Sequence, residues 1–301
     1  MTGLVERTGF TVGDAYAAGW TRRRLYGAGV QRPFRGVRTI GAELDDHRAR
    51  CVAYHARDRP GDVFSHHSAA VLHGFPLRSS VLPDDIHLAV FAPGKRPQMR
   101  GVIGHELRAA GHRVVVVDGL RVVAAEDAWA QLSADLPLVD LIVIGDWLIT
   151  GDEPHSHVAS PWTRDDLERA VRHHGRRPGI RLLRQALDSV RYGSLSPQET
   201  RLRLELVGAG LPEPALNHHV YDRGMRIAMV DLAYPERRLA IEYLGDHHRT
   251  DTAVYREDID RRERLRAAGW DVVFLTADDL RPPIPRAVLT VRRAYHRSRP
   301  E

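Results

Sequence analysis

Two acidic residues, Asp231 and Glu242, break into segments that are otherwise apolar: Ile227, Met229, Val230 and Leu232 flank the first, and Leu239, Ala240 and Ile241 precede the second. A carboxylate in a buried strand is costly unless something compensates its charge. If the two segments form a hairpin closed symmetrically about Glu236 and Arg237, paired residue numbers share one sum. Tyr234 then faces Leu239 and Asp231 faces Glu242, with Cβ atoms roughly 4.5 to 5.5 Å apart. Two carboxylates so placed repel, which raises a pKa or requires a cation, and a hard divalent ion such as Mg²⁺ takes oxygen ligands of this kind. An ion held there could hold a phosphodiester and activate water. Taken singly, Asp231 is equally suited to a hairpin ion pair with Arg226 or Arg238.

The elements around this pair follow a clear order. Ser196-Pro197-Gln198-Glu199 opens a helix through Val207, with Pro at its first position and Gly208 or Gly210 to end it. Three strand-like stretches follow at His218 to Asp222, Arg226 to Tyr234 and Leu239 to Leu244. A helix from about Val254 to Ala268 is closed by Gly269, and Asp271 to Thr276 reads as a last strand. The order is αβββαβ. Glu199 is the residue a capping box demands, so its place in the pattern has a structural explanation as well as a chemical one.

At the other end, Thr11 to Ala18 and Thr21 to Tyr26 read as two short helices around a turn at Gly19, with Thr21 as the N-cap of the second. Val30 to Ile40, which contains Pro33 and Gly36, suits a wing. Arginines at Arg22, Arg23 and Arg24, in the first turn of the second helix, are the arrangement of a helix-turn-helix DNA reader; a solvated helix start is the alternative. If the three were buried, a protein partner would be favoured instead. Between the ends, Ser65 to Gly74 reads as a capped helix, Ile86 to Phe91, Val114 to Val117 and Val122 to Val123 as strands, and Ala125 to Leu132, Leu138 to Leu148 and Asp165 to His174 as helices. Thr150 to Trp162 reads as a surface connection. The chain is expected to be α/β (α+β), with a winged helix-turn-helix at 1–45, an α/β domain at 46–190 and the αβββαβ core at 191–301.

Composition narrows the class. The 301 residues are 43% hydrophobic, enough for a folded core, and Lys+Arg 44 against Asp+Glu 39 leaves +5, with arginine dominant. Arginine forks suit phosphate. The lone Cys51 excludes an internal disulfide, and no apolar run is long enough for a leader or a membrane span, so a cytoplasmic protein with no membrane partner is expected. The 17 histidines fall as scattered singles or doublets such as His66-His67, and adjacent histidines rarely chelate one ion.

The string from Asp231 through Glu242, Gly245 and His248, followed by Arg256, Asp258, Arg261, Leu265, Gly269-Trp270 and Phe274-Leu275-Thr276, resembles the very-short-patch-repair (Vsr)-like endonuclease domain of the PD-(D/E)XK superfamily, from about Arg191 to Arg281. The resemblance implies Mg²⁺-dependent or Mn²⁺-dependent cleavage of DNA. It implies Glu199, Asp231, Glu242 and His248 as catalytic residues, with Asp231 and Glu242 as metal ligands. Arg249 and Arg256, in the same string, are expected to meet DNA beside Arg22, Arg23 and Arg24. The family places a lysine or aspartate two residues after the strand-three acid, where this chain has Leu244. Asp246, His247 or His248 are the available substitutes. The N-terminal part resembles the winged-helix segment of AbiEi-type antitoxins, which implies a DNA-associated protein with a toxin or other protein as a further partner. It leaves a non-catalytic DNA-binding regulator as the rival to the nuclease.

Overall fold

The computed structural model describes residues 9–57, 59–108, 111–244, 252–280 and 286–298, with backbone alone for 244 and 252–259. The protein is mixed α/β and divides into two compact units, Met1–Ile144 with Arg164–Asp188, and Gly145–Thr163 with Ser189–Glu301.

The first unit opens with β1 (Phe10–Thr11), α1 (Val12–Ala17), α2 (Arg22–Leu25), β2 (Val30–Gln31) and β3 (Val37–Ile40), the strands pairing antiparallel in the order β1-β3-β2. Thr11 closes a reciprocal capping box with Asp14, and Thr21, the expected N-cap, caps α2 by accepting from the Arg24 amide. Phe10, Ala15, Trp20 and Leu25 form the small core beneath them. Next come α3 (His47–His55), β4 (Val63–Phe64), α4 (His66–Leu72), β5 (Ile86–Phe91), β6 (Val102–Leu107), β7 (Val114–Val117), β8 (Leu120–Val123), α5 (Ala125–Gln131) and α6 (Leu138–Thr150). Their five strands lie in the order β6-β5-β4-β8-β7. The predicted strand at Ile86 to Phe91 is present with the same ends; β6, which the sequence reading passes over, pairs parallel beside it. The helical turn α7 (Glu153–Ser156), inside the predicted connection, belongs to the second unit, as do the residues of α6 from Gly145 on; α8 (Arg164–His174) and α9 (Ile180–Ser189) complete the first.

In the second unit, α10 (Pro197–Gly208), β9 (Ala215–Asp222), β10 (Met225–Tyr234), β11 (Leu239–Leu244), α11 (Thr252–Ala267) and β12 (Asp271–Thr276) reproduce the αβββαβ order, and α12 (Arg286–Arg297) follows. The sheet order is β12-β11-β10-β9, with β11 and β12 parallel and the other pairs antiparallel. Leu202 and Leu206 of α10 and Ala287, Val291 and Ala294 of α12 pack with Leu232, Leu239, Ile241 and Leu275 in one core. Leu265 of α11 packs with Val230, Ala233 and Ala240 in another. Each fully buried aliphatic side chain there is worth about 1.5–3 kcal/mol, so the sheet is held from both sides. Among the described residues, no helix is long and apolar enough to cross a membrane.

Candidate functional site

The hairpin register decides whether the acids meet. Tyr234 pairs with Leu239, Ala233 with Ala240 and Leu232 with Ile241, the expected sum, and the ladder stops there, one step short of the expected pairing of Asp231 with Glu242. Alternation along β11 sends Leu239 and Ile241 into the α10 and α12 core. It sends Ala240 to the α11 side, and Glu242 shares that side. There Arg261 of α11 meets the Glu242 carboxylate at 3.3 Å. Glu242 is only 2% exposed, so its charge could not persist without such compensation. The Asp231 carboxylate accepts the Tyr243 amide at 2.7 Å across the hairpin, which fixes one of its oxygens toward β11.

Glu199 approaches Asp231 from α10. Ser196 caps the helix by accepting from the Glu199 amide at 3.2 Å. The Glu199 side chain does not accept from the Ser196 amide as a full capping box would. Its Oε2 instead accepts from the Leu195 amide at 2.9 Å and from Asn217 Nδ2 at 2.7 Å. Burial pushes the Glu199 carboxyl up to about 7, and the neighbouring Asp231 charge pushes it the same way. Asp231 thus sits close enough to Glu199 to act on it, while Glu242 is held on the α11 side by Arg261; among the described residues the three acids do not form a cluster of the kind that the histidines of the first unit do. The donors of Asp231 and Glu199 are oxygen only and of like charge, which suits a hard divalent cation better than a soft one.

Of the remaining expected site residues, His248 and Arg249 lie outside the described residues, and only the backbone of Arg256 is described, within α11. Arg22, Arg23 and Arg24 are all exposed, in the first unit. Arg24 lays its guanidinium 3.7 Å from the Trp20 ring centroid. Their exposure removes the condition that would have favoured a protein partner over nucleic acid.

Several features carry no sequence signature. Asn217, held at φ 42°, orients Glu199 and bonds the Gly193 carbonyl. Beneath α10, Asp146 accepts from Arg203 at 3.0 Å, from Thr200 at 2.8 Å and from the Arg191 amide at 2.7 Å. Burial outweighs this help and holds the Asp146 carboxyl up at about 6. In the first unit a groove is lined by Arg35, Arg57, Arg59 and Arg100, and in the second another is lined by His155, His157, Arg226 and Arg264. Both gather cationic or ionisable groups that are scattered along the chain.

Against known proteins the chain is 31% identical, over 136 residues, to "Uncharacterized protein Rv2248" of Mycobacterium tuberculosis (strain ATCC 25618 / H37Rv). It matches "Uncharacterized protein MT2308" of Mycobacterium tuberculosis (strain CDC 1551 / Oshkosh) to the same degree. The match takes in 45% of this chain and 50% of each relative, so it spans about half the length of the curated relatives it matches. No family model and no solved structure matches it.

Proposed function

We propose that the second unit is a Mg²⁺-dependent or Mn²⁺-dependent endonuclease centred on Glu199, Asp231 and Glu242. The observation that carries this reading is that Asp231 of β10 lies close enough to Glu199 of α10 to help raise that buried carboxyl to about 7, with Glu242 buried on the adjoining strand β11. An ion held there supplies Lewis-acid polarisation of a phosphodiester and activation of water. Asp231 and Glu242 are the residues to hold it. Glu199, with a pKa near neutrality, is suited to take a proton from water, and Asn217 and the Leu195 amide keep its carboxyl in place. Arg261 offers a cation beside Glu242 for phosphate oxygens. The groove of Arg226, Arg264, His155 and His157 offers a path for the nucleic-acid backbone. From outside the described residues, His248 is expected to act on the scissile phosphate or its water.

A second reading, a non-catalytic DNA-binding regulator that keeps the nuclease architecture, is favoured by two observations: Leu244 stands where a catalytic lysine or aspartate is expected, and Glu242 is already paired with Arg261. Four exposed or half-exposed arginines in the first-unit groove serve either reading. Helix α2, a single turn about 6 Å long, presents Arg22 to Arg24 better to phosphates than to the floor of a groove. Cleavage of plasmid and oligonucleotide DNA separates the readings, with wild type beside Asp231→Asn and Glu242→Gln. Cleavage that needs Mg²⁺ or Mn²⁺ and is lost in both variants supports the nuclease. DNA retention that is indifferent to both variants and to metal, with no cleavage, supports the regulator.

A further inference from the structure

Away from the carboxylates, in the first unit, three histidines from three separate elements converge. His66 opens α4, His87 lies on β5 and His105 on β6, and one ligand atom from each lies within 4.8 Å of the others. Parallel pairing of β5 with β6 sets Ala89 beside His105, which leaves His87 two residues away on the same face. His87 Nδ1 and His105 Nε2 stand 3.0 Å apart. The His66 backbone is in the left-handed region at φ 47°, uncommon for a residue other than glycine. That conformation is held by its amide, which donates to buried Gln131 Oε1 at 2.9 Å. Its ring stacks on that of His105 with centroids 3.7 Å apart.

Histidines that merely fill this core behave differently. His47 engages the Pro83 carbonyl and the Ser68 hydroxyl, and His73 the Val123 carbonyl. His87 and His105 aim ring nitrogens at each other instead, and His87 Nε2 is buried without a hydrogen-bond partner among the described residues. Burial holds His66 down at about 2 and His87 at about 3, with neighbouring histidines adding to both, and burial lowers His105 as well. All three are therefore neutral near pH 7, the form in which imidazole binds metal.

We propose that His66, His87 and His105 bind one divalent transition-metal ion of the zinc class. Neutral imidazoles select zinc, cobalt or nickel over magnesium. Tetrahedral ligation at about 2.0–2.1 Å puts ligand nitrogens roughly 3.4 Å apart, inside the 4.8 Å within which one ligand atom of each residue already lies. Three protein ligands leave a fourth position open, and His66 and His105 are half-buried, so that position can reach solvent. The carboxylate that offsets the ion is Asp135, which lies 3.9 Å from His67 Nδ1 and acts on both His67 and His105.

The test uses the full chain stripped with EDTA, titrated with Zn²⁺ against a chromophoric chelator and with Co²⁺ by visible absorption. The wild type is expected to bind one Zn²⁺ and to give the intense bands of four-coordinate Co²⁺. His66→Gln and His105→Gln should each weaken Zn²⁺ by more than the 10–100-fold typical of losing an outer partner, while His55→Gln, on the exposed end of α3, leaves the affinity unchanged. Ring ¹⁵N spectra of the wild type, which do not depend on how a variant folds, should place the zinc-induced shifts on His66, His87 and His105. No stoichiometric binding by folded wild type, equal affinity in both histidine variants, or shifts confined to other histidines would overturn the proposal.

Discussion

At Glu199 the physical chemistry can be followed to a sign. The folded-state value of about 7 lies above the ordinary 4.5, so the fold favours the protonated carboxyl. That contribution to stability is fully present below about pH 4.5 and is lost as pH rises through 7. It totals on the order of 3 kcal/mol. Glu199→Gln keeps an acceptor for the Leu195 amide and removes the ionisation. The variant should therefore match wild type in urea melts at pH 5, exceed its stability at pH 8 and lose cleavage. Equal stability differences at the two pH values would show that Asp231 and burial do not act on Glu199 as described. Arg203 stands at the opposite extreme, a buried cation between Asp146 and Glu213. Arg203→Met removes the cation beside buried Asp146, leaving it the Thr200 hydroxyl and the Arg191 amide, and should cost about 3–5 kcal/mol, read from the same melts.

At the level of elements, sequence and structure part at identifiable places. The hairpin of β10 and β11 was legible because two apolar runs, each broken by a single acid, flank a short turn. One register then satisfies the buried face, and the pairing of Tyr234 with Leu239 follows. The start of α10 was legible from Ser196 and Pro197. Strand β6 was not, because Gly101, Gly104 and Glu106 make Val102 to Leu107 look like a loop, and with it went His105 and the histidine cluster. Gly104 has a packing reason to be glycine: a Cβ there would fall 2.0 Å from the Pro97 carbonyl oxygen. Gly104→Ala must push β6 off that segment, at roughly 1–3 kcal/mol. It should weaken Zn²⁺ binding through His105 next to it, whereas unchanged stability and zinc affinity would contradict the packing described for β6. Asn217 and Asp146 were illegible for a different reason, since their partners come from sequence positions far away.

Over the whole molecule, the cationic groups matter by where they gather. Net charge said little, and the arginine run at Arg22 to Arg24 drew attention because it is contiguous. The groove of Arg35, Arg57, Arg59 and Arg100 is assembled from separate stretches and is invisible to a scan along the chain. If it holds a DNA backbone, Arg57→Ala with Arg100→Ala should weaken binding across unrelated sequences. It should also reduce the slope of log affinity against log salt by about 2. An unchanged slope in fluorescence-anisotropy titrations would assign those arginines to the fold or to another ligand.

The claim on which the nuclease reading depends is that three carboxyl groups make one hard-cation site, and binding of Mn²⁺ followed by its paramagnetic signal tests it most directly. At pH 8 the wild type should take up a Mn²⁺ ion that Mg²⁺ displaces, with His105→Gln binding it equally and Asp231→Asn and Glu242→Gln losing it. Mn²⁺ uptake that survives both carboxylate substitutions, or folded wild type that binds none, would contradict the account.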